Sequence, residues 1–322
     1  MQTRAASNAL AVSVVGYGAV GQETAKLLAL RGDGVRIVQR SAPAEIPVGC
    51  SFLAADMSDR DGAIRACAGV DAVVCALGLP YDSALWEHLW PILMQNLLEG
   101  CAASGSRLVF ADNLYLYGPQ TRPLTENMPL TGYGRKPALR AKITEQWQAA
   151  YNAGRVRAVA VRASDFYGPD APNSVLAAFG VARLCAGKAA LVPYNPDHAH
   201  DFTYLPDFAR ALVSLVDAPD DAYGQAWHVP VARPTRTLRE ALTLAASIIG
   251  VSPRMTLVPQ FLAPALGMFS KEIRESIEMR FQWDHPYLVD ASKFAARFWS
   301  DATPLEDGLR ATIASCRTAA PA

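Results

Sequence analysis

Residues 12–30 constrain the fold more than any other stretch. Val12-Ser13-Val14-Val15 is an apolar run of strand length, Gly16-Tyr17-Gly18-Ala19-Val20-Gly21 has the spacing G-x-G-x-x-G, and Gln22 to Leu30 is rich in Ala and Leu. Strand, glycine turn and helix in that order form a dinucleotide-binding unit. Gly16 permits the sharp turn. Gly18 lets backbone approach a pyrophosphate, with Tyr17, Ala19 and Val20 lining the same turn. Gly21 allows close packing of helix on strand. The helix then directs its unpaired N–H groups and the positive end of its dipole at phosphate.

The second strand, Val35 to Val38, ends at Gln39-Arg40-Ser41. An NAD-binding unit places an acid near this point to accept hydrogen bonds from the ribose 2′-hydroxyl. Arg40 can instead pair with a 2′-phosphate, with Ser41 adding a further bond, so NADP is expected over NAD. The competing reading lays Arg40 over the adenine, which serves either cofactor.

Further strands are expected at Cys50–Ala55, Ala72–Gly78, Arg107–Asn113 and Val156–Val161. Helices are expected at Ser58–Ala68, Tyr81–Gly100 and Ala138–Asn152. This alternation implies an α/β fold with a Rossmann-type doubly wound parallel sheet and right-handed crossovers. Beyond Pro172 the rhythm changes. A Rossmann domain over 1–170 is expected, with 200–230 returning to it. A smaller, mostly helical substrate region over 171–322 would cap the sheet, with helices at Val175–Ala186, Leu238–Ile249 and Leu262–Met279.

With 51% apolar residues among 322, the chain can bury a large core. Thirty basic residues balance thirty acidic ones, so nothing suggests attraction to nucleic acid or anionic membrane. No apolar run is long enough to span a bilayer. Arg4 ahead of an apolar run has the outline of a secretion signal, but cleavage there would remove the first strand. The six cysteines (Cys50, Cys67, Cys75, Cys101, Cys185 and Cys316) contain no C-x-x-C pair, so a disulfide framework is not expected and a reducing cytoplasm is. No residue pattern points to a metal.

Five motifs then occur in order: the glycine turn, Asp56, Tyr117-Gly118, Arg162 with Asp165-Phe166-Tyr167-Gly168-Pro169, and Phe202-Thr203-Tyr204-Leu205-x-Asp207-x-Ala209-Arg210. Tyr287-Leu288-Val289-Asp290-x-Ser292-Lys293 follows late in the chain. Over nearly its full length the chain resembles an extended or atypical short-chain dehydrogenase/reductase of the NAD(P)-dependent epimerase/dehydratase type. The resemblance implies that Asp56 and Met57 lie by the adenine and that Ala76, Leu77 and Gly78 line the cofactor. It also implies a Ser/Thr–Tyr–Lys active site, in which Lys follows Tyr by four residues, holds the nicotinamide ribose and lowers the Tyr pKa.

The chain departs from that scheme. Aligned on Tyr117-Gly118, the Ser/Thr position is Asn113, which can still donate a hydrogen bond. The preferred Lys is Lys142, four residues after Ala138, where a tyrosine would be needed. The alternative, Tyr133-Gly134-Arg135-Lys136, spaces Tyr and Lys by three. Tyr115 and Tyr133 are the leading proton donors, with Asp112, Asp165 and His200 behind them. Asp165, Phe166, Tyr194 and His200 are expected to face substrate, and Leu114 and Phe179 to wall an apolar pocket. The leading expectation is an NADP-dependent reductase of a carbonyl or similar group on a small molecule. The alternatives are a nucleotide-sugar epimerase/dehydratase, with Arg183, Arg233 and Arg236 as diphosphate anchors, and a non-catalytic NADP-binding sensor or scaffold. Dimers are common in the family, and the helix at 81–100 is a candidate dimer surface.

Overall fold

The structure is a computed structural model, and it describes residues 9–171, 174–192, 195–257 and 271–318. Six strands follow from the apolar runs: β1 (Ala11–Val15), β2 (Gly34–Gln39), β3 (Cys50–Ala54), β4 (Ala72–Cys75), β5 (Arg107–Asn113) and β6 (Ala158–Ala163). The short strands β7 (Phe166–Tyr167), β8 (Ala190–Val192), β9 (Ala199–His200) and β10 (Thr203–Tyr204) lie outside the main sheet, and β11 (Ala226–His228) returns to it. The main sheet has seven parallel strands in the order β11-β6-β5-β4-β1-β2-β3. The order in which strands are added reverses between β1 and β4, and the crevice beyond their C-terminal ends is where such sheets bind ligands.

Two apolar layers sandwich the sheet. Helices α2 (Arg60–Cys67), α3 (Ser83–Ser104) and α4 (Lys136–Asn152) cover one face through Ala63, Leu93, Leu97, Ile143 and Trp147. Helices α1 (Ala19–Arg31) and α6 (Leu205–Val216) cover the other through Ala25, Leu28, Leu212 and Leu215. Phe294, on the helix Ser292–Arg297, joins this second layer, so part of the C-terminal tail belongs to the Rossmann core. A third core holds the cap, where α7 (Leu238–Ile249) and the helix Leu305–Thr318 pack with Val181 and with Leu184 of the short helix α5 (Ala182–Cys185).

Local chemistry moves several element ends away from their sequence-based positions. Asp82 accepts from the N–H groups of Ala84 and Leu85 at 3.0 and 3.2 Å, so α3 starts at Ser83. Pro137 sits in the first turn of α4, where its missing N–H costs nothing, and the helix begins at Lys136, two residues before the expected start. β4 stops at Cys75, leaving Ala76 to Gly78 as loop. Of the helix expected at 262–279, residues 262–270 lie outside the described residues; a helix covers Lys271–Ile277 and a 3-10 turn Glu278–Gln282. All six cysteines are free thiols, and tertiary packing brings the Cys67 and Cys101 sulfurs to 3.8 Å. Leu93 and Leu97 are buried against the sheet, so α3 spends most of its apolar face inside the chain.

Two glycines make the β1–α1 turn possible. Gly16 has φ +91°, and a Cβ there would lie 2.7 Å from the Ala76 carbonyl oxygen. A Cβ on Gly21 would lie 2.0 Å from the Gly16 carbonyl oxygen. Backbone therefore packs on backbone. Replacing Gly21 by Ala is expected to cost about 1–3 kcal/mol, read as a lower urea midpoint at unchanged m value. Gly18→Ala, where nothing lies within 4 Å, should leave the midpoint in place.

Candidate active site

The open side of the β1–α1 turn faces the crevice. Gly18 is exposed, and its missing Cβ points into empty space. The first turn of α1 has no side-chain cap and no acidic residue, so its N–H groups are available to an anion. A dinucleotide diphosphate fits this cradle. Ala76, Leu77 and Gly78 form its neighbouring wall, with open space at Gly78. Arg40 and Ser41 stand exposed just beyond β2. Asp56 is fixed by the Ser58 N–H and hydroxyl, which donate at 2.9 and 2.8 Å. Those bonds hold its carboxyl below the usual range, and the Arg40 charge adds to the effect. Met57 is buried, and its carbonyl accepts from Asn96 at 2.9 Å, so its side chain serves the core.

At the end of β5 the chain turns through a 3-10 segment, Tyr115–Tyr117. Asn113 Oδ1 caps that turn by accepting from the Tyr115 N–H at 3.0 Å, which leaves Nδ2 as the amide's remaining polar group. The loop carrying Tyr133 is tied to the same turn, because Thr131 N–H donates to the Leu116 carbonyl at 2.8 Å. Tyr133 packs edge-on against Phe281, with ring centroids 5.4 Å apart, and remains exposed. Asn113, Tyr115 and Tyr133 thus share one region at the C-terminal end of β5.

Lys142 does not join them. It is exposed on α4 and makes no hydrogen bond among the described residues. Its charge is felt at Glu87 on α3, whose carboxyl is held low first by Arg135 and then by Lys142. Lys136 is the buried lysine of this helix, 1% exposed, with its ammonium among Ser83, Glu275 and Glu278.

Below the site lies a charged network that sequence reasoning missed. Asp112, fully buried in β5, receives the guanidinium of Arg140 and, at 3.1 Å, that of Arg162. Burial alone would raise the Asp112 pKa; the two arginines overcome this and hold it below the usual range. Arg162 also donates to the Tyr117 hydroxyl at 2.6 Å. That hydroxyl lies 2.8 Å from His228 Nε2, and His228 Nδ1 lies 3.2 Å from the Asp290 carbonyl. With His228 neutral, the donors run in one direction from Arg162 to Asp290. Burial and the Arg162 charge push His228 down to about 3, and burial pushes Tyr117 up to about 12 against the pull of Arg162. Tyr117, part of the recognised motif, is therefore a structural hydroxyl. The available signal was helical spacing: Arg140 falls on the apolar face shared by Ile143, Thr144 and Trp147.

On the cap side, His200 Nε2 and Asp165 Oδ2 meet at 2.7 Å. The His200 ring stacks on Trp283 at 3.9 Å and lies 5.2 Å from Tyr287. His200 is 2% exposed, whereas Asp165 and Phe166 are half-buried. Leu114 is core rather than pocket wall, Phe179 is exposed, and Tyr194 lies outside the described residues. Arg233 is held by Asp201 at 2.6 Å, and Arg183 donates to the Ala189 carbonyl at 2.8 Å. Among the described residues no group of three metal-binding side chains occurs, and no helix is long and apolar enough to cross a membrane.

His228 links stability to pH. The unfolded histidine takes a proton near 6.5 while the folded one resists to about 3. Folding stability should therefore fall as pH drops from about 6.5 toward 3, and His228→Asn should flatten that slope in urea titrations.

Comparison with known proteins identifies the family. The family model described as "NAD dependent epimerase/dehydratase family" matches residues 12–229. A Kitasatospora kifunensis protein, dTDP-6-deoxy-L-talose 4-dehydrogenase (NAD(P)(+)), is 28% identical over 267 residues, covering 76% of this chain and 80% of the relative. The NAD complex of UDP-glucuronic acid 4-epimerase from Bacillus cereus superposes with TM-score 0.78 at 15% identity, covering 96% of this chain and 99% of that one. The NAD complex of UDP-glucose 4-epimerase from Thermus thermophilus gives 0.76 at 22%, covering 97% and 100%. With its glycine cradle, parallel sheet and matching family model, the chain belongs to the NAD(P)-dependent epimerase/dehydratase family of enzymes.

Proposed function

We propose that the chain is an NADP-dependent oxidoreductase acting at a carbonyl or carbinol carbon of a small organic molecule. The observation that carries the reading is Arg40. It stands exposed at the end of β2, where no acid competes for a ribose, and its guanidinium has no hydrogen-bond or ion-pair partner among the described residues. A 2′-phosphate supplies the missing partner. The bound nicotinamide would supply or accept hydride. Backbone from Gly16 to Gly21 would hold its diphosphate, and Ala76 to Gly78 would flank it. Asn113 Nδ2 would hydrogen-bond the substrate oxygen, and the Tyr133 hydroxyl would exchange a proton with it, with Tyr115 beside them. Asp165, kept in place by His200, would face the substrate from the cap.

A second reading, nucleotide-sugar chemistry, is favoured by the dTDP-sugar dehydrogenase among the relatives. The partnering of Arg183 and Arg233 weighs against a diphosphate bound through them.

Two measurements test the first reading. Calorimetry should show that Arg40→Ala weakens NADPH by roughly 1.5–3 kcal/mol, about ten- to a hundredfold, while NADH binding is unchanged. Equal losses for both cofactors would remove NADP as the preferred partner. In NADPH oxidation with a panel of aldehydes, ketones and keto sugars, Tyr133→Phe should lower kcat at least about a hundredfold.

A further inference from the structure

The ammonium of Lys136 has an unusual setting. It donates to Ser83 Oγ at 2.8 Å, to Glu275 Oε2 at 2.5 Å, to Glu278 Oε1 at 3.0 Å and to the Glu275 carbonyl at 3.0 Å. It also lies 4.4 Å from the centre of the Tyr81 ring. The two carboxylates do more than neutralise it. Glu275 Oε2 accepts from the Ser83 N–H at 2.8 Å, at the first residue of α3. Glu278 Oε2 accepts from the Arg135 N–H at 2.8 Å, at the entrance to α4. One C-terminal segment therefore caps the N-termini of two Rossmann helices, where a negative charge is favoured. A further ion pair, Lys271 with Asp82, ties the same segment to α3, and Arg135 grips Glu87 at 2.9 and 2.6 Å across α4 and α3. The next turn of the segment carries Phe281, which packs on Tyr133. Burial works to raise the Glu275 pKa, but hydrogen bonds from Lys136 and Ser83 outweigh it and bring it to about 2, so Glu275 is ionised at neutral pH.

We infer that Lys136 is a positioning residue: it clasps the segment 275–281 onto the loop that carries Tyr133. Its charge is spent on two glutamates rather than offered to a ribose or a phenol. The clasp holds the Tyr133 ring at the mouth of the crevice and joins the cap to both α3 and α4. This rests on the reading of Tyr133 as proton donor for its catalytic consequence, but the clasp itself is measurable without turnover.

The test compares Lys136→Met, Glu275→Gln and Lys136→Met/Glu275→Gln in the full chain. Hydrogen exchange should quicken at least about tenfold in peptides covering 133–140 and 271–284, with the double variant no worse than the singles. NADPH affinity should stay within about twofold, because the lysine touches no cofactor. In NADPH turnover Lys136→Met should lower kcat, and that effect should vanish in a Tyr133→Phe background. Should Lys136→Met misfold by leaving Glu275 buried without its partner, Glu278→Gln and Ser83→Ala carry the exchange measurement. Unchanged exchange in the folded variants overturns the inference. So does a tenfold or greater loss of NADPH affinity in Lys136→Met, which would return the lysine to a ribose. A wild-type protein that binds no NADPH would sink the proposed function while exchange still decides on the clasp.

Discussion

A carboxylate buried in a β-strand organises this molecule. Asp112 lies one residue before the end of β5, and its side chain has no contact with water. Such a group is tolerated only when paired and fully hydrogen-bonded. Arg140 from α4 and Arg162 from β6 meet that demand, and in doing so fix the helix and the neighbouring strand relative to β5. Arg162 then orders Tyr117, Tyr117 orders His228, and His228 reaches the C-terminal tail at Asp290. Asn113 follows Asp112 directly, so the direction of its amide depends on this foundation. Loss of one partner would leave an uncompensated charge, typically costing several kcal/mol. The network is a scaffold beneath the candidate site.

Charge is used in two distinct ways around the crevice. Below β5 and at the clasp, cations are buried, paired and hydrogen-bonded to several groups. Along the cofactor side, Arg40 stands in solvent near an ionised Asp56 that is already satisfied by Ser58. Paired groups hold geometry, whereas Arg40 has no hydrogen-bond or ion-pair partner among the described residues. The same distinction separates Lys136 from Lys142, one enclosed by carboxylates and the other exposed.

Much of the Rossmann half could be read from residue order, because buried parallel strands are short, continuous apolar runs. The range of β5 is as expected, and so is that of α7. Other features depend on contacts that spacing does not encode. The partnership of Asp165 with His200 spans 35 positions and arises from the route of β9 past the end of β6. Lys136 stands beside Pro137 in what reads as a loop, and only the Pro-initiated first turn places it in α4. The sequence favoured Lys142 as the active-site lysine, yet Lys142 lies on an exposed face of the helix. The cap was least legible, since strands of two or three residues carry no periodicity.

The segment from Tyr287 to Asp290 has a consequence for how the protein is made. Its backbone is stitched to Ala199 and Asp201 on one side, at 2.9 Å, and to Leu124 on the other, at 2.8 and 2.9 Å. Val289 N–H also donates to the buried Asp201 carboxylate at 2.8 Å. All seven strands of the main sheet have left the ribosome well before these residues appear. A nascent chain can therefore assemble its glycine cradle early, while the wall behind His228 and His200 closes only after the segment from Tyr287 to Asp290 has been synthesised.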